Sequence, residues 1–391
     1  MATLVKQNQR FITPLLWIVG LVVLVALFAP AIAEQRPARL VQSGITGLLV
    51  GGVYALIALG IVIINKASGV FNFAHGWMML FGGFIFYSFF AISNVSPIAA
   101  GGLALVTVLM AATMIGTLRA LREPRTLAIA AAAVVVLTVL LLVPIPMLRG
   151  IVGAMCGGAL IGLAVERFAI RPLLGQPLFA MVLMTLAASE LLQGVTQMVW
   201  GSVELPLAVF SPLREMGIPT PFRFEGTGAF EGTIIVRTEL LAAFILALLA
   251  FAAFVLFFRF TSVGLAMRAT AENQKLAQAV GLRVRVILGV VWAIAALLAA
   301  TAGVLQGGAT TLSLNLPLLA LRAFPAVLLG GLESVPGALF GGLVIGLVQE
   351  YANLLFPGTQ AGTELAPYVL LMIVLVIRPD GLFGQKRIER I

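Results

Sequence analysis

Charged side chains are scarce in this chain: they make up 10% of its 391 residues, while apolar residues make up 61%. An ordinary soluble domain carries about 25% charged residues, so a water-facing surface cannot be assembled here. Cysteine is nearly absent, with Cys156 alone in an apolar stretch, which excludes an intrachain disulfide and a cysteine metal cluster. Histidine is equally rare, His75 being the single one, so a multi-histidine metal site or relay is excluded too. A phosphate-binding loop would need a Gly-rich turn ending in Lys followed by Ser or Thr. None of Lys6, Lys66, Lys275 or Lys386 has that follower, so the chain has no usual site for ATP and no cofactor is expected.

What the chain has in quantity is long apolar runs. Crossing about 30 Å of hydrocarbon takes about 20 helical residues, and runs such as Leu240 to Phe258 are continuously apolar. Membrane β-barrel strands would instead alternate apolar and polar residues. The expected fold is therefore an all-α polytopic membrane protein of about 10–12 transmembrane helices. The spans are expected near 11–33, 40–64, 70–92, 97–118, 127–148, 150–165, 178–200, 239–258, 286–306, 318–332, 335–354 and 366–378. The run at 11–33 reads either as an additional first span or as a signal segment ending at Ala31-Ile32-Ala33. The segments at 150–165 and 318–332 are short, and the Gly/Pro breaks around Pro325, Gly330, Gly331, Pro336 and Gly337 point to re-entrant half-helices. Breaks of that kind are tolerated only within the bundle or along a wet cavity. Glycines at spacing four, as in Gly47/Gly51 and Gly342/Gly346, predict close helix packing.

The net charge of +9 is spread over short connections rather than gathered on a domain, which fits membrane topology better than nucleic-acid binding. Arg119, Arg122 and Arg125 fall in one predicted inner loop and Arg167 and Arg171 in the next. Arg259, Arg268, Lys275, Arg283 and Arg285 fall in a third, and Arg378, Lys386, Arg387 and Arg390 put the C-terminus inside as well. The longest outer connection, 201–239, carries five glutamates and four prolines and reads as an ordered periplasmic loop.

The inner loop at 259–285 is the most informative stretch. Leu265, Ala269, Leu276 and Val280 recur with helical periodicity on one face, and Arg268, Glu272, Lys275 and Gln278 lie beside them. Gly281 stands where a helix C-cap is expected. A surface-lying lipid helix would be uniformly basic on its polar face, whereas this face is mixed in sign and suits docking to a protein partner.

This segment, Gly264-Leu265-Ala266-Met267-Arg268-Ala269 with Ala271-Glu272-Asn273 and Ala277 to Gly281, resembles the coupling segment of ABC importer permeases of the branched-chain amino acid type. Tyr54 to Gly60 with Asn72-Phe73-Ala74-His75-Gly76, Glu166-Arg167 with Arg171-Pro172, and Ala326 to Gly331 with Pro336-Gly337-Ala338 are similar to the same family. The resemblance covers most of 39–384, apart from an insertion near 119–149 that adds two crossings. It implies a bacterial inner-membrane subunit that docks two cytoplasmic ABC ATPases through Gly264, Arg268, Ala271, Glu272, Asn273, Lys275, Ala277 and Gly281. It further implies a homologous second permease or a second copy, and a periplasmic substrate-binding protein.

Candidate pathway residues are Tyr54, Asn72, His75, Glu190 and Gln193. Family members commonly carry an acid after the glycine of the Asn72 motif, where this chain has Trp77. Glu190 sits mid-span, where family members are usually apolar; it must face protein or water, either marking substrate preference or pairing with a base. Gln306, Asn315, Gln349, Glu350 and Asn353 are read as span-end residues solvated at the interface. The rival reading is a proton- or ion-coupled secondary transporter using Glu190 and His75, which leaves the coupling segment unexplained.

Overall fold

The computed structural model describes residues 33–115, 123–228, 231–359 and 361–384. The apolar run at 11–33 lies outside them but for its last residue, as do Arg119, Arg122, Lys386, Arg387 and Arg390. Helix α1, Pro37–Ser68, begins with proline in its first turn, where a missing N–H costs nothing. It ends at Gly69, whose φ of 70° closes the last turn on the Asn65 carbonyl. A six-residue break follows before α2, His75–Phe90. Next come α3, Pro97–Ile115, α4, Pro124–Leu142, and α5, Pro146–Ala164, each with proline at its first position. Helix α6, Leu178–Trp200, leads into a connection holding the short α7, Ser211–Glu215, and an antiparallel hairpin of β1, Phe222–Gly226, with β2, Gly232–Val236. The chain re-enters as α8, Thr238–Phe260, turns through α9, Ser262–Glu272, and α10, Gln274–Ala279, and returns as α11, Val284–Ala309. Helices α12, Leu318–Gly330, α13, Val335–Leu355, and α14, Ala366–Ile377, complete it.

Among the described residues eight helices are long and apolar enough to cross a membrane, namely α1, α3, α4, α5, α6, α8, α11 and α13, while α12 and α14 are shorter apolar helices. Among the described residues, the connection between α6 and α8 holds the hairpin, which pairs from Phe222 with Val236 to Gly226 with Gly232. One expectation is corrected. The segment at 150–165 is no half-helix: the apolar helical stretch runs from Pro146 to Leu173. Arg149, between the expected spans 127–148 and 150–165, lies inside the first turn of α5, where its guanidinium donates to the carbonyls of Ile92 and Ser93 at 2.7 and 3.1 Å. At the other end α5 continues as a π-turn, Val165–Ile170, and a 3₁₀ turn, Arg171–Leu173.

Helix α1 is apolar all round, and a helix of that kind belongs in the middle of a bundle. It is enclosed by α13, α11, α8 and α12, with 89% of its most apolar window buried. Helix α11 likewise packs on α2 and α5. Helix α4 is peripheral, touching α3 and α5, with only 6% of its window buried. Against α13, the spacing-four glycines of α1 do what their pattern predicts. A methyl placed at Gly47 or Gly51 would come within 2.8 Å of the Cα of Leu347 or Leu343, so the two backbones touch.

The bundle has two distinct ends. At one, Lys66 donates to the Glu333 carbonyl at 3.1 Å, Gln274 to the Ala67 carbonyl at 2.8 Å, and the tail returns so that Leu382 N–H donates to Leu329. At the other, Gln42 exchanges hydrogen bonds with Ile235 of the hairpin, and Arg237 donates to Ala309 at 2.8 Å.

Candidate functional site

The segment between α8 and α11 is built as a bracket. Thr261 Oγ1 accepts from Gly264 N–H at 2.9 Å and starts α9. Gly264 allows the sharp turn, since a methyl there would strike the backbone of Phe257 and Phe258. The expected single helix is two: Asn273 ends α9 in an extended conformation, and its Oδ1 accepts from Leu276 N–H at 2.9 Å to begin α10. A side-chain cap of this kind is worth about 1 kcal/mol. Gly281 caps α10 as its position predicts. With φ of 89°, its N–H donates to Gln278 and that of Leu282 to Ala277, both at 3.0 Å, which is the paired bond pattern of a Schellman cap.

Gly264, Met267, Thr270 and Ala277 face inward and are buried. Leu265, Leu276 and Val280 are 60%, 62% and 71% exposed, and Ala269, Glu272, Asn273 and Lys275 are exposed beside them. Ala271 is half-buried. The face read from periodicity is thus an outward apolar strip on the described chain. Arg268 folds back instead: its guanidinium lies 5.3 Å from the centroid of the Phe258 ring and donates to the carbonyls of Phe258 and Arg259. It braces α9 against the end of α8. Beside this bracket lies a cleft of about 570 Å³ lined by Lys66, Arg259, Arg268 and Glu333 together with apolar side chains. The π-turn of α5 adjoins the same end, where Arg171 grips the buried Glu166 through two bonds of 3.0 and 2.8 Å and reaches the Arg285 carbonyl at 3.5 Å.

Of the interior candidates, Tyr54, Asn72 and His75 are buried, Gln193 is half-buried and Glu190 is exposed. Tyr54 is buried, and its hydroxyl donates to Gln349 Oε1 at 2.7 Å. Gln349, expected at a solvated span end, is itself buried, which corrects that reading, because its side chain turns toward α1 to meet Tyr54. Asn72 is buried and organises the break before α2, its Oδ1 accepting from Ala74 N–H at 3.1 Å and its amide touching Met78 Sδ at 3.4 Å. His75 is fully enclosed, and neither ring nitrogen makes a hydrogen bond of good geometry. The ring occupies the notch left by Gly60, where a methyl would come within 2.5 Å of Cε1.

Two breaks meet at this level. Phe71 and Phe73 of the 69–74 break pack on Phe324 of α12, with ring centroids 5.3 and 5.4 Å apart, just before Pro325 inside that short helix. Thr185 of α6 fastens the break: its hydroxyl accepts from Phe73 N–H at 3.3 Å and shares its proton between the Val182 carbonyl at 2.8 Å and the Phe71 carbonyl at 3.2 Å. Thr185 and the aromatic trio were not found from sequence, since one threonine and three phenylalanines in apolar runs carry no signal until the breaks are juxtaposed. Glu190 and Gln193 lie further along α6. Glu190 is exposed and Gln193 half-buried, and no basic side chain pairs with Glu190 among the described residues. An ionised carboxylate facing lipid at mid-membrane would cost about 2.5–3.5 kcal/mol. His75 is sealed inside while Glu190 faces outward, so the two do not form a proton relay within the chain.

The comparisons with known proteins agree with this architecture. A family profile described as "Branched-chain amino acid transport system / permease component" matches residues 124–377. The chain belongs to this family. The permease is 29% identical over 353 residues to the high-affinity branched-chain amino acid transport system permease protein BraD of Pseudomonas aeruginosa, covering 90% of this chain and 97% of that one. It is 26% identical over 355 residues to the permease protein LivH of Escherichia coli K12, with the same coverage. A probable branched-chain amino acid transport permease protein LivH of Methanocaldococcus jannaschii is 27% identical over 245 residues, covering 60% of this chain and 74% of its own. No solved structure matches. The permease is thus a membrane-embedded component of a transport system rather than its enzyme, and the family match favours a subunit of a multi-part importer over a self-contained ion-coupled carrier.

Proposed function

We propose that this chain forms one half of the translocation path of an ATP-binding-cassette importer for branched-chain or related amino acids. Two ATPases dock at the α9–α10 bracket of this chain and of a second permease, homologous or identical, and a substrate-binding protein delivers solute to the hairpin end. The observation that carries the reading is the outward apolar strip of Leu265, Leu276 and Val280. It is held on a bracket whose inner face is buried and whose two ends continue into membrane helices. Such a bracket moves as a lever: a push on α9 and α10 is transmitted to α8 through Arg268 and to α1 through Gln274. The charge distribution supports a cytoplasmic bracket, since Lys66, Arg167, Arg171, Arg259, Lys275, Arg283 and Arg285 lie in or beside the connections at that end and inner connections carry the excess of basic residues.

The reading is tested by purifying the tagged permease with its ATPases. Leu276→Asp and Glu272→Lys are expected to reduce ATPase recovery severalfold and to abolish ATP-driven uptake, with the permease still folded by size-exclusion profile. Undiminished ATPase recovery, or uptake that persists with an inactive ATPase, would sink it.

A further inference from the structure

Glu190 is the thirteenth of the 23 residues of α6, which puts it about 18 Å from one end of the helix and about 15 Å from the other. Helices α3, α4 and α8 are, like α6, largely uncovered, yet none of them carries an ionisable group away from its ends. Their exposed Leu, Val and Ile side chains suit lipid. Helix α6 differs: Gln193 and Gln197 follow Glu190 at three and seven positions, the spacing of one helix face. This polar stripe runs beside the buried seam of Thr185, Ser189, Leu192 and Thr196. Gly194, one turn from Glu190, has nothing of this chain within 4 Å of where a side chain would begin, so the chain itself leaves the stripe uncovered.

We propose that this stripe lines the translocation path and that Glu190 receives the ammonium group of the passing amino acid, the two glutamines offering their amides alongside. The assignment rests on the importer reading given above. A carboxylate is the charge complement of an ammonium, and a charge-assisted hydrogen bond is about twice as strong as a neutral one. The exposed setting of Glu190 lets the solute leave again. A twofold-related copy of this chain meeting face to face would bring two Glu190 carboxylates together, which like-charge repulsion opposes. A partner permease presenting a base at the same depth is the competing occupant.

The full importer in liposomes, with ATPases and binding protein, separates these arrangements. With Glu190→Gln, uptake per assembled complex is expected to fall about tenfold, equivalent to about 1.4 kcal/mol, whereas Glu190→Asp keeps most of it. Complex recovery and ATP hydrolysis stimulated by the loaded binding protein are expected to stay unchanged. In a Cys156→Ala background, Glu190→Cys is expected to react with a charged, membrane-impermeant thiol reagent, and Val135→Cys on α4 is not. Normal uptake by Glu190→Gln would overturn the assignment, as would lost complex recovery with unchanged uptake per complex, the mark of a subunit ion pair. Failure of Glu190→Cys to label would overturn it as well. Absence of ATP-driven uptake by the unaltered complex falls on the importer reading, and the labelling result still decides whether α6 borders water.

Discussion

Tyr54 and Gln349 lie 295 positions apart and meet in a buried hydrogen bond of 2.7 Å. Replacing Tyr54 by Phe keeps the ring in its packed place and strands the Gln349 carbonyl, and an unsatisfied buried polar group costs about 1–3 kcal/mol. The variant is expected to unfold at a lower temperature in detergent; an unchanged midpoint would show that water or another group takes over. Polar exceptions of this sort were partly legible beforehand. Tyr54, Asn72 and His75 stand out because apolar residues surround them, and all three prove buried. Their partners were not legible, because the pairing of α1 with α13 is a property of the bundle, and Gln349 near the end of an apolar run looks like any interfacial residue. Glu190 shows the reverse case, in which depth along a helix was evident from sequence and the direction it faces was not.

At the scale of elements, the long apolar runs fix most helices, since a 3.6-residue repeat satisfies every backbone group in hydrocarbon. The run at 178–200 coincides with α6, Leu178–Trp200. The failures come where a charge is paid off by tertiary partners, as with Arg149 inside α5, or where one side chain splits a pattern, as Asn273 splits α9 from α10. Glycine spacing was informative because small residues in register admit only close helix approach. Gly51→Leu is therefore expected to be far worse than an ordinary overpacking change of about 1–3 kcal/mol. What it meets is the backbone of Leu343 and Gly342, which cannot rotate away, and relief requires parting α1 from α13. Loss of the monodisperse peak on size-exclusion chromatography is the expected outcome, and a well-folded Gly51→Leu protein would contradict the contact.

The whole molecule is polarised, and its polarity predicts a sidedness that a single experiment reads. The bracket of α9 and α10, the α12–α13 turn and the returning tail share one end, while the hairpin, with Glu225 and Glu231, occupies the other. Basic residues are preferentially retained on the cytoplasmic side during insertion, so the proposed docking strip is expected to face the compartment that holds ATP. With Cys156 replaced by Ala, single cysteines at Lys275 and Glu225 sample opposite faces, both parent side chains being exposed. In cells with a permeabilised outer membrane, Glu225→Cys is expected to react with an impermeant maleimide at once, and Lys275→Cys only after the inner membrane is broken. The reverse order would put the strip outside, beyond the reach of any ATPase, and the lever would have nothing to move it.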